Sequence, residues 1–165
     1  MSLYFDGAFA CYLKPDVPQQ VLDTLQYMTR TENYAFDKPP GHKFFQNDDW
    51  RNFLQISQEW TCAPGFVGSD FRKTHQYTTQ DGNDVYWYSL SFRRTMHDDV
   101  EFYVLWWDFL NWIAPYSLTS GYVGYCREQY TINPTLIYFK RGRGIVYLYD
   151  VQGIPKGLNG ESWSD

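Results

Sequence analysis

The chain has 165 residues, of which 21% are aromatic and 20% charged, and its net charge at pH 7 is −5. This composition is too apolar for a disordered chain, and the length suits one domain with its own core. The acidic balance argues against nucleic acids and anionic membranes as partners, because proteins that bind them are usually basic.

The number and spacing of the cysteines indicate whether the chain belongs in a reducing or an oxidising compartment. The chain has three cysteines, Cys11, Cys62 and Cys126, widely spaced and odd in number. They predict reduced thiols rather than a disulfide framework. The first residues contain no basic leader, and Asp6 interrupts their apolar run. We therefore expect a cytoplasmic protein.

The first half of the chain predicts a strand, a helix and an insertion. Apolar residues alternate from Leu3 to Leu13, which is typical of a strand with one buried side. Asp16 and Gln19 then have capping-box spacing. An apolar helical stripe follows, formed by Val17, Val21, Leu22, Leu25 and Met28. Residues 31–65 are predicted to form an insertion that contains one short helix.

The second half begins with a predicted hairpin and a second helix. Strands over residues 66–79 and 84–96 flank an Asp81-Gly82 turn signal. A helix is predicted from Asp98 to Pro115, and Asp98 and Glu101 at its start repeat the capping-box spacing. Its core stripe is Phe102, Leu105, Trp106, Phe109, Leu110 and Ile113. Glu101, Asp108 and Asn111 interrupt this stretch, so it is too short and too polar to cross a membrane.

Three further strands are predicted over residues 122–130, 135–141 and 145–150. The pattern indicates a single α+β domain over residues 1–150, with the insertion 31–65, and a frayed C-terminal tail over residues 151–165. The first six main elements spell βαββαβ. We therefore predict a ferredoxin-like antiparallel sheet, extended by a C-terminal β-meander, with two main helices on one face.

The sequence offers no catalytic or metal-binding motif. His42, His75 and His97 lie far apart and lack zinc-ligand spacing. There is no Gly-x-Ser-x-Gly, and no cysteine lies in a known catalytic signature. We predict no cofactor and no catalytic residue, and favour a protein that is not an enzyme.

Aromatic residues on the second helix indicate a candidate binding surface. Val104 and Trp107 lie off its core stripe, and Tyr103 is nearby. Aromatic anchors are typical of interfaces. Two alternatives remain open: the insertion covers this flank within the monomer, or another chain does. We predict Tyr103, Val104 and Trp107 as binding residues.

Two basic pairs form a second candidate. Arg72-Lys73 and Arg93-Arg94 can gather at the open end of the predicted hairpin. The alternative is that they are ordinary solvated strand ends. We include Arg93 and Arg94 among the predicted binding residues.

Two segments resemble a known family. "LKPDVPQQVLDTLQYM" and "DFLNWIAPY…GYVGYCREQYTINPTLIYF" are similar to a family of small uncharacterised bacterial and prophage-type proteins. Its members share a Leu-Lys-Pro-Asp-x-Pro helix start, a Trp-Ile-x-Pro-Tyr helix end, a Gly-Tyr strand and an Asn/Glu-Pro-Thr-Leu-Ile motif. The resemblance covers about half of the chain and implies a small α+β fold, but no activity.

The sequence therefore predicts a non-catalytic, small cytosolic interaction or regulatory protein that binds a protein partner or forms a homodimer. The alternative is a small-ligand-binding protein or enzyme with an aromatic-lined cleft between the sheet and the 31–65 insertion. A cavity with convergent polar groups would favour the alternative, and an exposed aromatic surface would favour a protein partner.

Overall fold

A computed structural model describes residues 3–29, 38–55, 68–140, 142–147 and 156–157. A single antiparallel sheet organises them, with strands β1 (Tyr4–Leu13), β2 (Gly68–Thr78), β3 (Asp84–His97), β4 (Gly121–Glu128), β5 (Thr135–Lys140), β6 (Arg143–Tyr147) and β7 (Lys156–Gly157). Their order across the sheet is β2-β3-β1-β4-β5-β6-β7. β1 therefore lies near the centre, and β2 forms one edge.

The predicted ferredoxin-like fold is wrong as a description of this molecule. A ferredoxin-like unit has four strands and two helices in the order βαββαβ, whereas a continuous seven-stranded sheet dominates here. The difference arises after the second helix. There, β4 pairs with β1, and β5 and β6 follow through short connections, each pairing with the strand before it. The sheet therefore continues well beyond a fourth strand.

Two α-helices occur in the described part of the chain. The first, α1 (Gln19–Thr29), carries four of the five predicted stripe residues, Val17 lies just before it, and all five are buried. The second helical segment has three parts: a π-helical turn at Glu101–Trp106, α2 (Trp107–Ile113) and a 3-10 turn at Ala114–Tyr116. All six predicted stripe residues of this segment are also buried, which confirms its core-facing side.

The start of the second helical segment differs from the predicted capping box. The carboxylate of Asp99, not that of Asp98, accepts a hydrogen bond of 2.9 Å from the backbone N–H of Glu101. Glu101 reaches back and accepts a bond of 3.1 Å from the N–H of His97. Both interactions satisfy donors near the helix start, so the capping role falls one residue later than predicted.

One face of the sheet carries the core. Phe9 of β1 and Phe92 of β3 meet Phe109 of α2 at ring-centre distances of 5.9 and 5.3 Å. The described part of the insertion contributes Phe44, Trp50, Phe53 and Leu54 to the same core, all nearly fully buried. We call this the covered face. Residues 56–65 of the insertion, and the predicted tail apart from β7, lie outside the described residues.

Two glycines allow close approach within this architecture. A Cβ atom on Gly124 would lie 2.0 Å from the backbone oxygen of Ala8, and one on Gly7 would lie 2.9 Å from the Trp106 ring. Such distances leave no room for a side chain. Glycine at these positions therefore lets β4 approach β1 and lets Trp106 pack directly on the sheet.

Candidate functional site

The sheet has a second face, opposite the helices, which we call the open face. Side chains alternate along a strand, so the residues between the core positions of β1 point away from the helices. Their cross-strand partners share that side, and the open face is formed by Asp6, Ala8, Ala10 and Tyr12 of β1, Asp70, Arg72 and Thr74 of β2, Trp87, Ser89, Ser91 and Arg93 of β3, and Tyr125 and Arg127 of β4.

A groove of about 650 Å³ runs along this face between β1, β2 and β3. Small side chains form its floor, and longer side chains rise on either side. The open-face residues that line it are Ala10, Tyr12, Asp70, Arg72, Thr74, Ser89 and Ser91, joined by Thr119. The groove therefore results from small residues on β1 and β3 and larger residues around them.

Exposed aromatic rings stand beside the groove and beyond it. The ring of Tyr12, 43% exposed, meets Trp87 edge-on at 5.6 Å. Across the sheet, Tyr122 pairs with Tyr138 at 5.7 Å. These rings form aromatic pairs of the same kind as those in the core, but Tyr12 and Tyr122 are exposed and Trp87 and Tyr138 are half-buried.

The groove lining includes hydrogen-bonding groups and one pair of opposite charges. The guanidinium of Arg72 lies 2.6 Å from the carboxylate of Asp70, and both side chains are largely exposed. The hydroxyls of Thr74 and Ser89 lie 3.4 Å apart. Thr119 accepts a 2.9 Å bond from the backbone N–H of Tyr12. The lining thus offers donors and acceptors without a net charge from the Asp70–Arg72 pair.

A buried ion pair lies at one end of the open face. Asp6 is 4% exposed, and Arg93 binds it with two hydrogen bonds of 3.0 and 3.1 Å. The Tyr125 hydroxyl donates a third at 3.1 Å. Hydrogen bonding to Asp6 raises the pKa of Arg93, while burial and then the Asp6 charge raise the pKa of Tyr125. This arrangement satisfies the buried carboxylate and fixes the ends of three strands relative to one another.

The predicted basic cluster does not form, because its members point to opposite faces. Arg93 lies on the open face, whereas Arg94 is 6% exposed on the covered face. Arg94 donates to the backbone oxygen of Phe53 and lies 2.6 Å from Glu101. Burial lowers the pKa of Arg94, and the Glu101 charge opposes that shift. Arg94 therefore joins the insertion to the helix start inside the protein.

The predicted helix residues divide between surface and interior. Tyr103 and Val104 are exposed, at 59% and 41% of their surface, and Val100 beside them is also exposed. Trp107 is half-buried and packs against Phe102, with ring centres 5.5 Å apart. The structure therefore leaves a small apolar flank on the helix but engages Trp107 within the monomer.

The predicted site residues did not include the aromatic residues of the open face. Tyr12 lies on the side of β1 that does not face the core. The stretch "DVYWYSLSF" has large residues at both odd and even positions, so on both faces of its strand. These signals were available in the sequence. They did not indicate a single surface, since that requires knowing which strands are neighbours.

A further cavity of about 510 Å³ lies between the described insertion, the end of β3 and the π-helical turn. Polar groups from all three elements reach it, including Asp49, Arg94, His97 and Glu101. The Nε atom of Arg94 is buried without a hydrogen-bond partner. This cavity corresponds in position to the predicted cleft, but among the described residues that line it Tyr4 is the one Phe, Tyr or Trp.

Two thiols are protected by burial, which raises the pKa of both Cys11 and Cys126 to about 12. Within the described ranges, no group of three His, Cys, Asp or Glu side chains could hold a metal ion. Likewise, none of the helices in these ranges is long and apolar enough to cross a membrane.

Comparison with known proteins gives no relative. No family model matches the chain, and neither a curated protein nor a solved structure matches it.

Proposed function

We propose that this chain is a non-catalytic interaction protein that recognises its partner with the open face of its sheet. The observation that carries the proposal is the exposed Tyr12 ring, which contacts the half-buried Trp87 ring beside a groove with a small-residue floor. Tyrosine and tryptophan are enriched among the residues that dominate binding energy, because a large apolar ring carries a polar tip. An aromatic surface of this kind supports a protein partner.

The groove's chemistry supports recognition rather than reaction. The two charged side chains that its lining takes from the open face, Asp70 and Arg72, pair with each other. The thiols of Cys11 and Cys126 stay protonated at neutral pH, so neither is the thiolate that nucleophilic catalysis requires. Serine and threonine hydroxyls beside the rings provide hydrogen bonds that fix orientation. This combination suits a partner segment that places an apolar side chain between hydrogen-bonding groups.

Affinity capture with matched baits tests the proposal. The first bait is the native chain and the second is Tyr12→Ala/Trp87→Ala. The third, Tyr103→Ala/Val104→Ala, removes exposed apolar groups from the helix flank instead. We expect a partner that binds the first and third baits but not the second.

The captured partner should then be titrated calorimetrically against all three proteins. Loss of one interface aromatic often costs 2 kcal/mol or more, so the open-face variant should bind roughly 30-fold more weakly or worse. If only the helix-flank variant loses the partner, the open-face proposal is wrong and the surface predicted at Tyr103 and Val104 is the interface.

The alternative, a small-ligand-binding protein or enzyme, would use the cavity beside Arg94. The buried, unpartnered Nε atom of Arg94 favours it, since that donor would suit a ligand oxygen. The π-helical turn at its wall adds support, because such turns are frequent at functional sites. Asn52→Trp, which would fill the cavity, should abolish ligand binding in this alternative and leave partner binding unchanged in the first.

A further inference from the structure

β2 forms a free edge of the sheet in the described part of the chain. β3 is its one strand neighbour there, so no strand in these ranges pairs with the backbone N–H and C=O groups on the outer side of β2. Pairing with β3 is regular from Gly68 to His75, and a register shift interrupts it before Tyr77. The regular portion is a straight edge that ends at an irregularity, which limits where another strand can pair.

We propose that this edge binds the same edge of a second copy of the chain. The two β2 strands would run antiparallel about a two-fold axis at Phe71, so that one sheet continues across a homodimer. Such pairing is isologous, since each copy contributes the same residues. Its backbone contacts use the edge rather than the face of the sheet, although Asp70 and Arg72 also line the open-face groove.

The charges along β2 select this register. In a dimer whose two sheets have their open faces on the same side, odd-numbered residues of β2 lie opposite odd-numbered ones and even-numbered residues opposite even-numbered ones. The two-fold axis then passes through one residue of β2. With the axis at Phe71, Asp70 of each copy lies opposite Arg72 of the other. An axis at Asp70 would oppose two aspartates, and one at Arg72 or Lys73 would oppose two cations. Opposite charges across strands stabilise pairing, and like charges destabilise it.

The side chains are available for these contacts. The side chains of Asp70 and Arg72 are 46% and 68% exposed. They lie 2.6 Å apart within one chain, so two copies would form an alternating ring of four charges. No other axis from Asp70 to Lys73 brings opposite charges together, which makes the edge self-complementary in a single arrangement.

Phe71 supports the same axis from the covered side of the sheet. It is half-buried and stacks on Tyr88, with ring centres 5.5 Å apart and planes at 15°. At the axis, the two Phe71 rings would be neighbours. They would join two existing stacks into one row, and cross-strand aromatic pairs stabilise a sheet.

Charge reversal tests the dimer by sedimentation equilibrium. The native chain should be dimeric. Asp70→Arg places only cations at the four charged positions of the axis, and Arg72→Asp places only carboxylates there. Each change reverses two symmetry-related contacts, so each should raise the dimer dissociation constant about tenfold or more. Asp81→Arg, with the same change in charge at the β2–β3 turn, should leave the dimer intact.

Mixing the two weakened variants distinguishes a lost contact from a damaged fold. An equimolar mixture of Asp70→Arg and Arg72→Asp restores opposite charges at every cross-edge pair, so it should give a heterodimer of native affinity. A native chain that remains monomeric at high concentration would overturn the proposal. So would a mixture that stays monomeric, or single variants that dimerise as well as the native chain. None of these outcomes depends on partner binding by the open face.

Discussion

The covered and open faces of the sheet are made from the same strands but use their aromatic residues differently. In β1, Phe9 is 3% exposed and contacts three other phenylalanines, whereas Tyr12, three residues later, is 43% exposed and contacts Trp87. The first arrangement removes apolar surface from water, and the second leaves it accessible. A high aromatic content therefore has two separate causes in this chain: core packing on one face and a candidate recognition surface on the other.

The largest expected difference concerns stability. Phe109→Ala should lower the free energy of unfolding by about 3–5 kcal/mol, because it leaves a cavity among Phe9, Phe44 and Phe92. Tyr12→Ala on the open face should cost less than about 1 kcal/mol, as is usual for exposed positions. Urea unfolding measures both. Equal losses would show that the two faces do not differ as described.

A second prediction compares how much two ion pairs of the open face contribute to the free energy of unfolding. Arg93→Ala should cost about 3 kcal/mol, because it leaves the buried carboxylate of Asp6 without its bidentate cation. Arg72→Ala is the matched control. Its pair with Asp70 is exposed and should contribute less than about 1 kcal/mol. A loss below about 1 kcal/mol for Arg93→Ala, measured by urea unfolding, would mean that Asp6 finds another partner or water.

Trp107 gives a smaller effect that bears on the predicted helix surface. Because this ring is half-buried against Phe102, Trp107→Ala should lower stability by about 1–2 kcal/mol. The oligomeric state should not change, since the proposed dimer axis lies on β2. Light scattering and thermal unfolding of the same samples test this. A shift from dimer to monomer at native stability would instead place Trp107 in an interface.

The smallest change concerns the buried thiols. In a Cys62→Ser background, Cys11 and Cys126 should not react with a thiol reagent at pH 8 until the protein unfolds. Their pKa of about 12 exceeds the ordinary value of 9.0, so the unfolded chain loses these protons first as pH rises. The thiols therefore stabilise the fold below pH 9, and this contribution declines above it. Rapid labelling of the folded protein would contradict their burial.

Local patterns in the sequence predicted most elements. The hairpin turn lies where Asp81-Gly82 indicated it, and Gly82 has a φ of 81°, a conformation that favours glycine. Both helical stripes are buried as predicted. These features depend on neighbours a few residues apart. The π-helical turn at Glu101–Trp106 escaped prediction because its residues fit an ordinary helical stripe equally well.

Features that depend on strand neighbours were not predictable in the same way. Arg93 and Arg94 are adjacent in sequence but lie on opposite faces of β3, so they cannot form one patch. Tyr12 and Trp87 form a surface only because β1 and β3 pair, although 75 positions separate them in the chain. A single sequence specifies alternation within each strand but not which strands meet. The candidate site therefore emerged from the sheet order.

The most direct test of the open-face proposal is a nuclear magnetic resonance titration of the isotope-labelled chain with its captured partner. We predict that amide shifts concentrate on Ala10, Tyr12, Trp87 and Ser89, with little change at Tyr103 and Val104. The Tyr12→Ala/Trp87→Ala variant should keep a folded spectrum and show no shifts at equal partner concentration. Shifts confined to the helix flank, with the groove unaffected, would contradict recognition by the open face.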